Sequence, residues 1–285
     1  MKRFALIVAL CLLAGGMFAQ QQELEPQTIG PKNGSLVIVG GAMRSDAILD
    51  RFIELAGGKD AFIVVIPTAG GQSDYDHDFY FIERLKARGV KEVHLLHTRD
   101  PKVADTREFV EPLRHADGVW FTGGRQWRLV DAYAGTLTQA MLDEVLARDG
   151  VIGGSSAGAT IQGSYLVRGD TQTNQIIMGD HEVGFNYLKN TAIDQHVLAR
   201  NRQFDLFEII QAKPELLGIG LDENTAIVVQ GNEFEVIGEH YVLVYDGTFY
   251  SREGYDMKKL PEASQIFYFL RAGDKYDLLK RKVKN

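Results

Sequence analysis

A serine hydroxyl becomes a nucleophile only when the chain thrusts it clear of its neighbours and a base lies within reach. Gly154-Ser155-Ser156-Ala157-Gly158 meets the first condition. Its spacing fits the G-x-S-x-G elbow, in which small flanking residues let a strand reverse sharply into a helix and push the central side chain into the open. Ser156 is therefore the candidate nucleophile. At a helix N-terminus, unpaired N–H groups beginning with that of Ala157 can face the oxyanion of an acyl-transfer intermediate. Taken alone, the string also describes a small-residue turn that merely lets strand and helix pack closely.

Seven histidines could supply the base, and His196 stands apart from the other six. It lies in AIDQHVLARNRQ, residues 192–203, where Asp194-Gln195-His196 precede a stretch that reads as a helix carrying Arg200 and Arg202. An imidazole beside two guanidinium groups suits an acidic substrate. The plainer account makes Asp194 a helix cap and the arginines a solvated face. The third member of a triad is a carboxylate that orients the imidazole, and Asp222-Glu223 follow the apolar run Gly218 to Leu221. Spacing does not choose between those two acids. In FTGGRQ, residues 121–126, a double glycine after a strand makes Gly124 a second candidate oxyanion donor, and Gln126 could bond a substrate amide or carboxylate. GGAMRS, residues 40–45, lacks the G-x-G-x-x-G spacing and the lysine of a phosphate loop, which argues against nucleotide binding.

These groups need a scaffold that delivers them to one place. Short continuous apolar runs at Leu36 to Val39, Ala61 to Ile66, Lys91 to Leu96, Gly118 to Phe121 and Val151 to Gly153 alternate with helical spacing at Asp46 to Ala56, Phe79 to Ala87 and Thr106 to His115. That alternation predicts an α/β fold with a parallel sheet covered on both faces. Function in such folds gathers at the carboxyl ends of the strands. From Gly218 onward GIGL, TAIVVQ, EFEVIG, YVLVYD and QIFYFL read as successive strands, which a mixed sheet with an antiparallel edge would absorb.

Lys2-Arg3 ahead of an apolar run from Phe4 to Leu13, then small residues and Ala19, form a secretory signal peptide over residues 1–19. The run falls short of the roughly 20 apolar residues that span a bilayer. The expected location is secreted or periplasmic, with no membrane association after cleavage. Cys11 would leave with the signal, so disulfides, thiolate catalysis and cysteine-ligated zinc are excluded from the mature chain. Residues 20–34, broken by Pro26, Gly30, Pro31 and Gly34, read as a flexible lead-in, and residues 35–285 as a single α/β domain. Cleavage also moves the formal charge from −7 to about −9, the wrong sign for a nucleic-acid partner.

The motifs GSLVIVGGA, VIPTAGG, FTGGRQWRL, GGSSAGA, IDQHVLARNR and LGIGLDENTAI, running in order from Gly34 to Asp246, resemble the serine peptidases that comprise cyanophycinases and aspartyl dipeptidases, with the cyanophycinase branch closest. The resemblance implies a flavodoxin-like sheet akin to class I glutamine amidotransferases. It also implies Ser156 as nucleophile, His196 as base and Glu223 as its partner, with Gln126, Asp194, Gln195, Arg200 and Arg202 contacting substrate and no metal or other cofactor. Cyanophycinases hydrolyse a polymer with a poly-aspartate backbone and arginines on the side-chain carboxylates, releasing β-aspartyl-arginine dipeptides. The implied partner is thus a cyanophycin-like polymer or acidic peptide, and a homodimer is compatible with the sequence.

Two departures bear on substrate. Val197 replaces an aromatic residue, and Asp205 stands where an arginine is common. If Asp205 faces the site, a polyacidic backbone is disfavoured and another aspartyl peptide becomes the expected substrate. A non-catalytic binding protein and a general esterase are the competing readings on the same fold.

Overall fold

Apolar runs with no polar face cannot lie at a surface, so four of the first five become buried strands, while the one within Lys91 to Leu96 forms a sheet edge with Glu92 and His94 exposed. The computed structural model describes residues 28–284. The predicted signal peptide, with Cys11, lies outside the described residues, as do residues 20–27 of the predicted lead-in. The strands are β1 (Ser35–Val39), β2 (Phe62–Ile66), β3 (Glu92–Leu95), β4 (Gly118–Phe121), β5 (Val151–Ser155), β6 (Gly163–Tyr165), β7 (Leu188–Gln195), β8 (Leu217–Leu221), β9 (Thr225–Gln230), β10 (Glu233–Gly238), β11 (Tyr241–Tyr245), β12 (Tyr268–Arg271), β13 (Lys275–Asp277) and β14 (Lys282–Lys284). The α-helices are α1 (Asp46–Leu55), α2 (Tyr80–Ala87), α3 (Pro101–Ala104), α4 (Trp127–Tyr133), α5 (Leu137–Ala147), α6 (Ala157–Thr160) and α7 (Leu206–Ala212).

The architecture is the expected α/β one, with a nine-stranded sheet in the order β14-β13-β10-β9-β1-β5-β4-β2-β3. Its β1, β5, β4, β2 and β3 run parallel, and β9, β10, β13 and β14 add antiparallel partners beyond β1. The later strands do not all join this sheet as an edge. A second sheet, β12-β11-β8-β7-β6, takes the remainder, with β6, β7 and β8 parallel and β11 and β12 antiparallel.

Alternation of side chains sorts the core into layers. Val37 and Val39 of β1 pack with α1 and α2 on one face of the large sheet, where Trp120 stacks on Phe81 at 4.8 Å and meets Phe52 edge-on at 4.9 Å. Leu36 and Ile38 face the other way, into a core shared with α4, α5 and one face of the second sheet. The second sheet's other face carries Ala192, Leu243 and Tyr245 against α7.

Three local expectations are corrected. The segment read as a helix over Thr106 to His115 instead holds only a 3-10 turn at Glu111–Arg114, preceded by the single turn of α3; Pro101 and Pro112 lie in the first turns of these two short elements. Residues 28–34, expected to be flexible, are docked: Ile29 is buried, its N–H donates to Asn232 Oδ1 at 2.8 Å, and its carbonyl accepts from Lys189 N at 2.8 Å. The stretch after His196 is not a helix bearing Arg200 and Arg202 but a run of turns, with positive φ at His196 (56°) and Asn201 (54°); helix begins only at Leu206.

Candidate active site

Parallel register decides which loops meet. Val39 is level with Ser155 across β1 and β5, and Phe121 with Gly154 across β4 and β5. Gly40-Gly41, Gly123-Gly124 and Ser156 therefore emerge from one edge of the sheet. In the second sheet Gln195 is level with Leu221, so His196 and Asp222-Glu223 leave adjacent parallel strands side by side. Asp222 to Asn224 are also the crossover from β8 to β9, which carries the chain from one sheet to the other. Hydrogen bonds stitch the two edges together: His196 N to Gly40 O (2.9 Å), Asn224 N to Gly41 O (2.9 Å) and Ser156 N to Val39 O (3.0 Å).

At the elbow Ser156 has φ 58° and ψ −112°, a sparsely populated conformation held by its surroundings. Gly154 and Gly158 are obligatory there. A Cβ on Gly154 would lie 2.2 Å from Gly158 O, and one on Gly158 2.2 Å from Phe121 O. The reversed chain presents Ser156 Oγ to His196 Nε2 at 2.9 Å, and His196 Nδ1 meets Glu223 Oε1 at 2.7 Å. Geometry thus separates the two acids that spacing left open. Asp222 faces the other way and accepts from Leu198 N (3.0 Å) and Ala199 N (2.9 Å), bracing the turn that follows His196.

The imidazole is buried, which pulls its pKa below the ordinary 6.5. Its hydrogen bond to Glu223 opposes that shift, and the nearby Arg200 and Arg202 reinforce it. A ring kept neutral near pH 7 can accept the Ser156 proton. Ser156, His196 and Arg200 line a cleft of about 430 Å³ with Arg44, Tyr80 and Arg84.

The remaining expected residues divide. The N–H of Gly124 has no acceptor among the described residues and its backbone takes φ 146°, while the neighbouring Gly123 is the one placed against Ser156, a Cβ there lying 3.3 Å from Ser156 Cβ. Ala157 follows Ser156 directly, and its N–H is likewise without an acceptor there. Arg200 is exposed at the cleft. Gln126, Asp194, Gln195 and Arg202, expected to touch substrate, are instead buried in the wall. Gln126 Nε2 donates to Val167 O (2.6 Å) and Arg168 O (2.9 Å), and Arg202 donates to Gln195 O (3.3 Å). Asp194, fully buried, receives Arg168 Nε at 2.9 Å and Arg168 Nη2 at 3.0 Å. Arg168 Nη2 also reaches Asp205, so the acid that replaces an arginine is held by a buried guanidinium rather than left loose in the site. Val197 is fully buried.

Sequence reasoning passed over Arg168, Gly41 and Asn224. Asn224 Oδ1 accepts from Arg44 N (2.8 Å) and Ser45 N (2.6 Å), fixing the loop after β1. Gly41, at φ 124°, lets the imidazole lie flat against the backbone, since a Cβ there would sit 2.1 Å from His196 Cε1. The signal for Gly41 is the double glycine directly after a strand, Gly40-Gly41. Gly41→Ala is expected to push the ring off Ser156 and lower kcat by about 100-fold or more, since misplacement by an ångström has that effect. Steady-state kinetics beside an unchanged circular-dichroism spectrum would check it.

A serine hydroxyl at a strand-to-helix elbow, an imidazole and a carboxylate hydrogen-bonded in series on an α/β scaffold are the arrangement of a serine-type hydrolase. The chain matches the model of Peptidase family S51 over residues 36–237 and belongs to that family, a family of serine-type peptidases. It is 32% identical over 220 residues to a cyanophycinase of Geminocystis herdmanii, covering 75% of this chain and 80% of that one. Identity to a cyanophycinase of Synechococcus elongatus is 30% over 263 residues, 88% of this chain and 81% of the relative. In fold it resembles a peptidase from an acI-B1 actinobacterium, with a TM-score of 0.65 at 24% identity over 87% of this chain and 98% of the other.

Proposed function

We propose that this cyanophycinase-like peptidase is exported and releases β-aspartyl-arginine dipeptides from a poly-aspartate chain, using Ser156 as nucleophile, His196 as base and Glu223 as its orienting acid. The observation that carries the reading is the Ser156–His196–Glu223 hydrogen-bond series at 2.9 and 2.7 Å. Ser156 Oγ attacks the scissile carbonyl as its proton passes to His196 Nε2. The N–H groups of Gly124 and Ala157 stabilise the oxyanion. His196 then protonates the departing amine, and water, activated by the same imidazole, hydrolyses the acyl-enzyme. Glu223 accepts the Nδ1 proton's hydrogen bond throughout. Export is supported by Lys2-Arg3 and the apolar run behind them. Among the described residues no helix is long and apolar enough to cross a membrane.

Substrate class is supported by the cyanophycinase relatives and by arginines at the cleft. Asp205 does not weigh against a polyacidic substrate, because it is ion-paired to Arg168 and is not among the residues that line the cleft. Small aspartyl peptides are the second reading, favoured by the withdrawal of Gln126 and Arg202 into the wall. Incubating the purified protein with cyanophycin and with a panel of α- and β-aspartyl dipeptides, and identifying products by mass, decides between them. Ser156-dependent β-aspartyl-arginine from the polymer supports the first reading, cleavage of dipeptides alone supports the second, and inert substrates throughout overturn both.

The base must be neutral to act, so kcat/KM should fall as pH drops, through a limb whose midpoint lies below 6.5. Arg200→Ala removes one of the cationic neighbours that lower the ring's pKa, and should move that midpoint upward. A pH–rate profile of the two proteins checks both the position and the direction.

A further inference from the structure

The cleft above Ser156 is bordered by three arginines that come from three separate elements. Arg200 lies on the turn after His196, Arg44 on the loop after β1, and Arg84 on α2, one turn beyond Tyr80 on the same face. Resemblance marks the first of these; nothing yet assigns a role to Arg44 or Arg84.

What sets these three apart is that all of them line the cleft that holds Ser156. Acids outnumber basic residues by 38 to 31, and some arginines elsewhere pair with them: Arg51 with Glu54, Arg88 with Asp50, Arg168 with Asp194 and Arg252 with Asp274. Among the described residues neither Arg44, Arg84 nor Arg200 has a carboxylate within ion-pair distance. Three unneutralised cations thus converge on one concave surface in an acidic protein. Mutual repulsion makes that arrangement unfavourable unless an anion completes it.

Both new arginines are also positioned. Arg84 is half-buried and directed by the bond from Nη1 to Met43 O at 2.9 Å, with its remaining donors uncommitted among the described residues. Phe81, on the same helix, stacks on buried Trp120 and anchors α2. Arg44 is exposed at the tip, but its backbone N–H is pinned to Asn224 Oδ1. Asn224 is next to Glu223, so one turn sets both the orienting acid and the loop that carries Arg44.

We propose that Arg44 and Arg84 form a carboxylate-binding subsite of the cleft, recognising the free carboxylate at the C-terminus of an aspartyl peptide. A planar, forked guanidinium suits a carboxylate better than an ammonium does, because it can donate two parallel hydrogen bonds. The proposal rests on the reading of the cleft as a peptidase site, and deepens it by naming what the substrate presents to the wall formed by α2 and the loop after β1.

The test is equilibrium binding, which needs no turnover. β-Aspartyl-arginine and its C-terminal amide are titrated calorimetrically into Ser156→Ala protein, then into the same protein carrying Arg44→Ala, Arg84→Lys or Arg84→Ala. The free acid is expected to bind the Ser156→Ala protein about 10- to 100-fold more tightly than the amide, the worth of a charge-assisted hydrogen bond. Arg84→Ala with Arg44→Ala should erase that ratio, and Arg84→Lys should keep part of it. Arg44, being exposed, can be removed without threatening the fold, so a loss of discrimination in Arg44→Ala alone also counts for the subsite. Equal affinity for acid and amide, binding of neither probe, or a ratio unchanged in the double variant would overturn it. Failure on cyanophycin with discrimination retained would instead remove the polymer reading and leave the subsite standing.

Discussion

Ser156→Ala is expected to lower kcat by about 10⁴- to 10⁶-fold while leaving the fold and its stability within about 0.5 kcal/mol of the parent. Only the hydroxyl is lost. Its hydrogen-bond partner is His196 Nε2, and the elbow's strained backbone is no harder for alanine than for serine, since both carry a Cβ. The surrounding constraints come from Gly154 and Gly158, which the substitution leaves alone. His196→Ala should cost about as much in rate, because a nucleophile without its base is as inert as a base without its nucleophile. The double variant should be no slower than either single one. Glu223→Gln should be milder, retaining the hydrogen bond but not the charge that stabilises the imidazolium. Steady-state hydrolysis of an aspartyl dipeptide, with unfolding curves in parallel, reads all four. A double variant slower by the product of the single effects would mean that the residues act independently.

The largest expected effect on stability lies behind the site, at Arg168. Its guanidinium is almost fully enclosed, with the carboxylates of Asp194 and Asp205 on one side and Asn174 O at 2.9 Å on another. Arg168→Met removes the cation and leaves the carboxyl group of Asp194 fully buried, with the N–H of Gln195 as its one remaining hydrogen-bond donor among the described residues. Breaking a buried pair in this way costs about 3–5 kcal/mol. Adding Asp194→Leu should recover much of the loss, because the orphaned charge goes with it and apolar replacements of buried pairs are often close to neutral. Urea denaturation of the single and double variants checks both statements. Arg168→Met should also slow catalysis, since Asp194 holds Gln195 N at 2.9 Å and His196 is the next residue. A single variant as stable as the parent would contradict this account of the buried pair.

Much of this fold is legible because the strands of the parallel sheet are short, apolar and unbroken. Leu36 to Val39 and Gly118 to Phe121 look like nothing else. β7 escapes notice because exposed Lys189 and Asn190 interrupt its pattern, and its partners β6 and β8 are remote in sequence. Missing it hides the second sheet. The turns after His196 imitate a helix, since Arg200 N does bond His196 O at 3.0 Å, but the positive φ of His196 and Asn201 stops the ladder from propagating.

Within the candidate site, Ser156 and His196 could be proposed because each sits at the end of an apolar run in a spacing tied to chemistry, whereas spacing leaves Asp222 and Glu223 equal and only the family resemblance favours Glu223. The polar residues around them were harder to assign. Gln126, Asp194 and Arg202 have the right chemistry for a substrate contact, and sequence does not reveal that interior groups such as Val167 O, Arg168 and Gln195 O already take their hydrogen bonds. Arg168 lies 26 residues before Asp194, in a stretch that carries no periodic signal. Nothing in the helical spacing of Phe79 to Ala87 marks Arg84, which joins the cleft only because α2 packs beside the serine.

The most direct test of the activated serine is its reaction with a fluorophosphonate, a probe that needs no knowledge of substrate. Labelling of the folded protein followed by peptide mapping should place a single phosphonyl group on the peptide containing Ser156, and His196→Ala should abolish it. Label on another residue, no label at all, or undiminished labelling of Ser156 in His196→Ala would contradict the assignment of Ser156 as a nucleophile activated by His196.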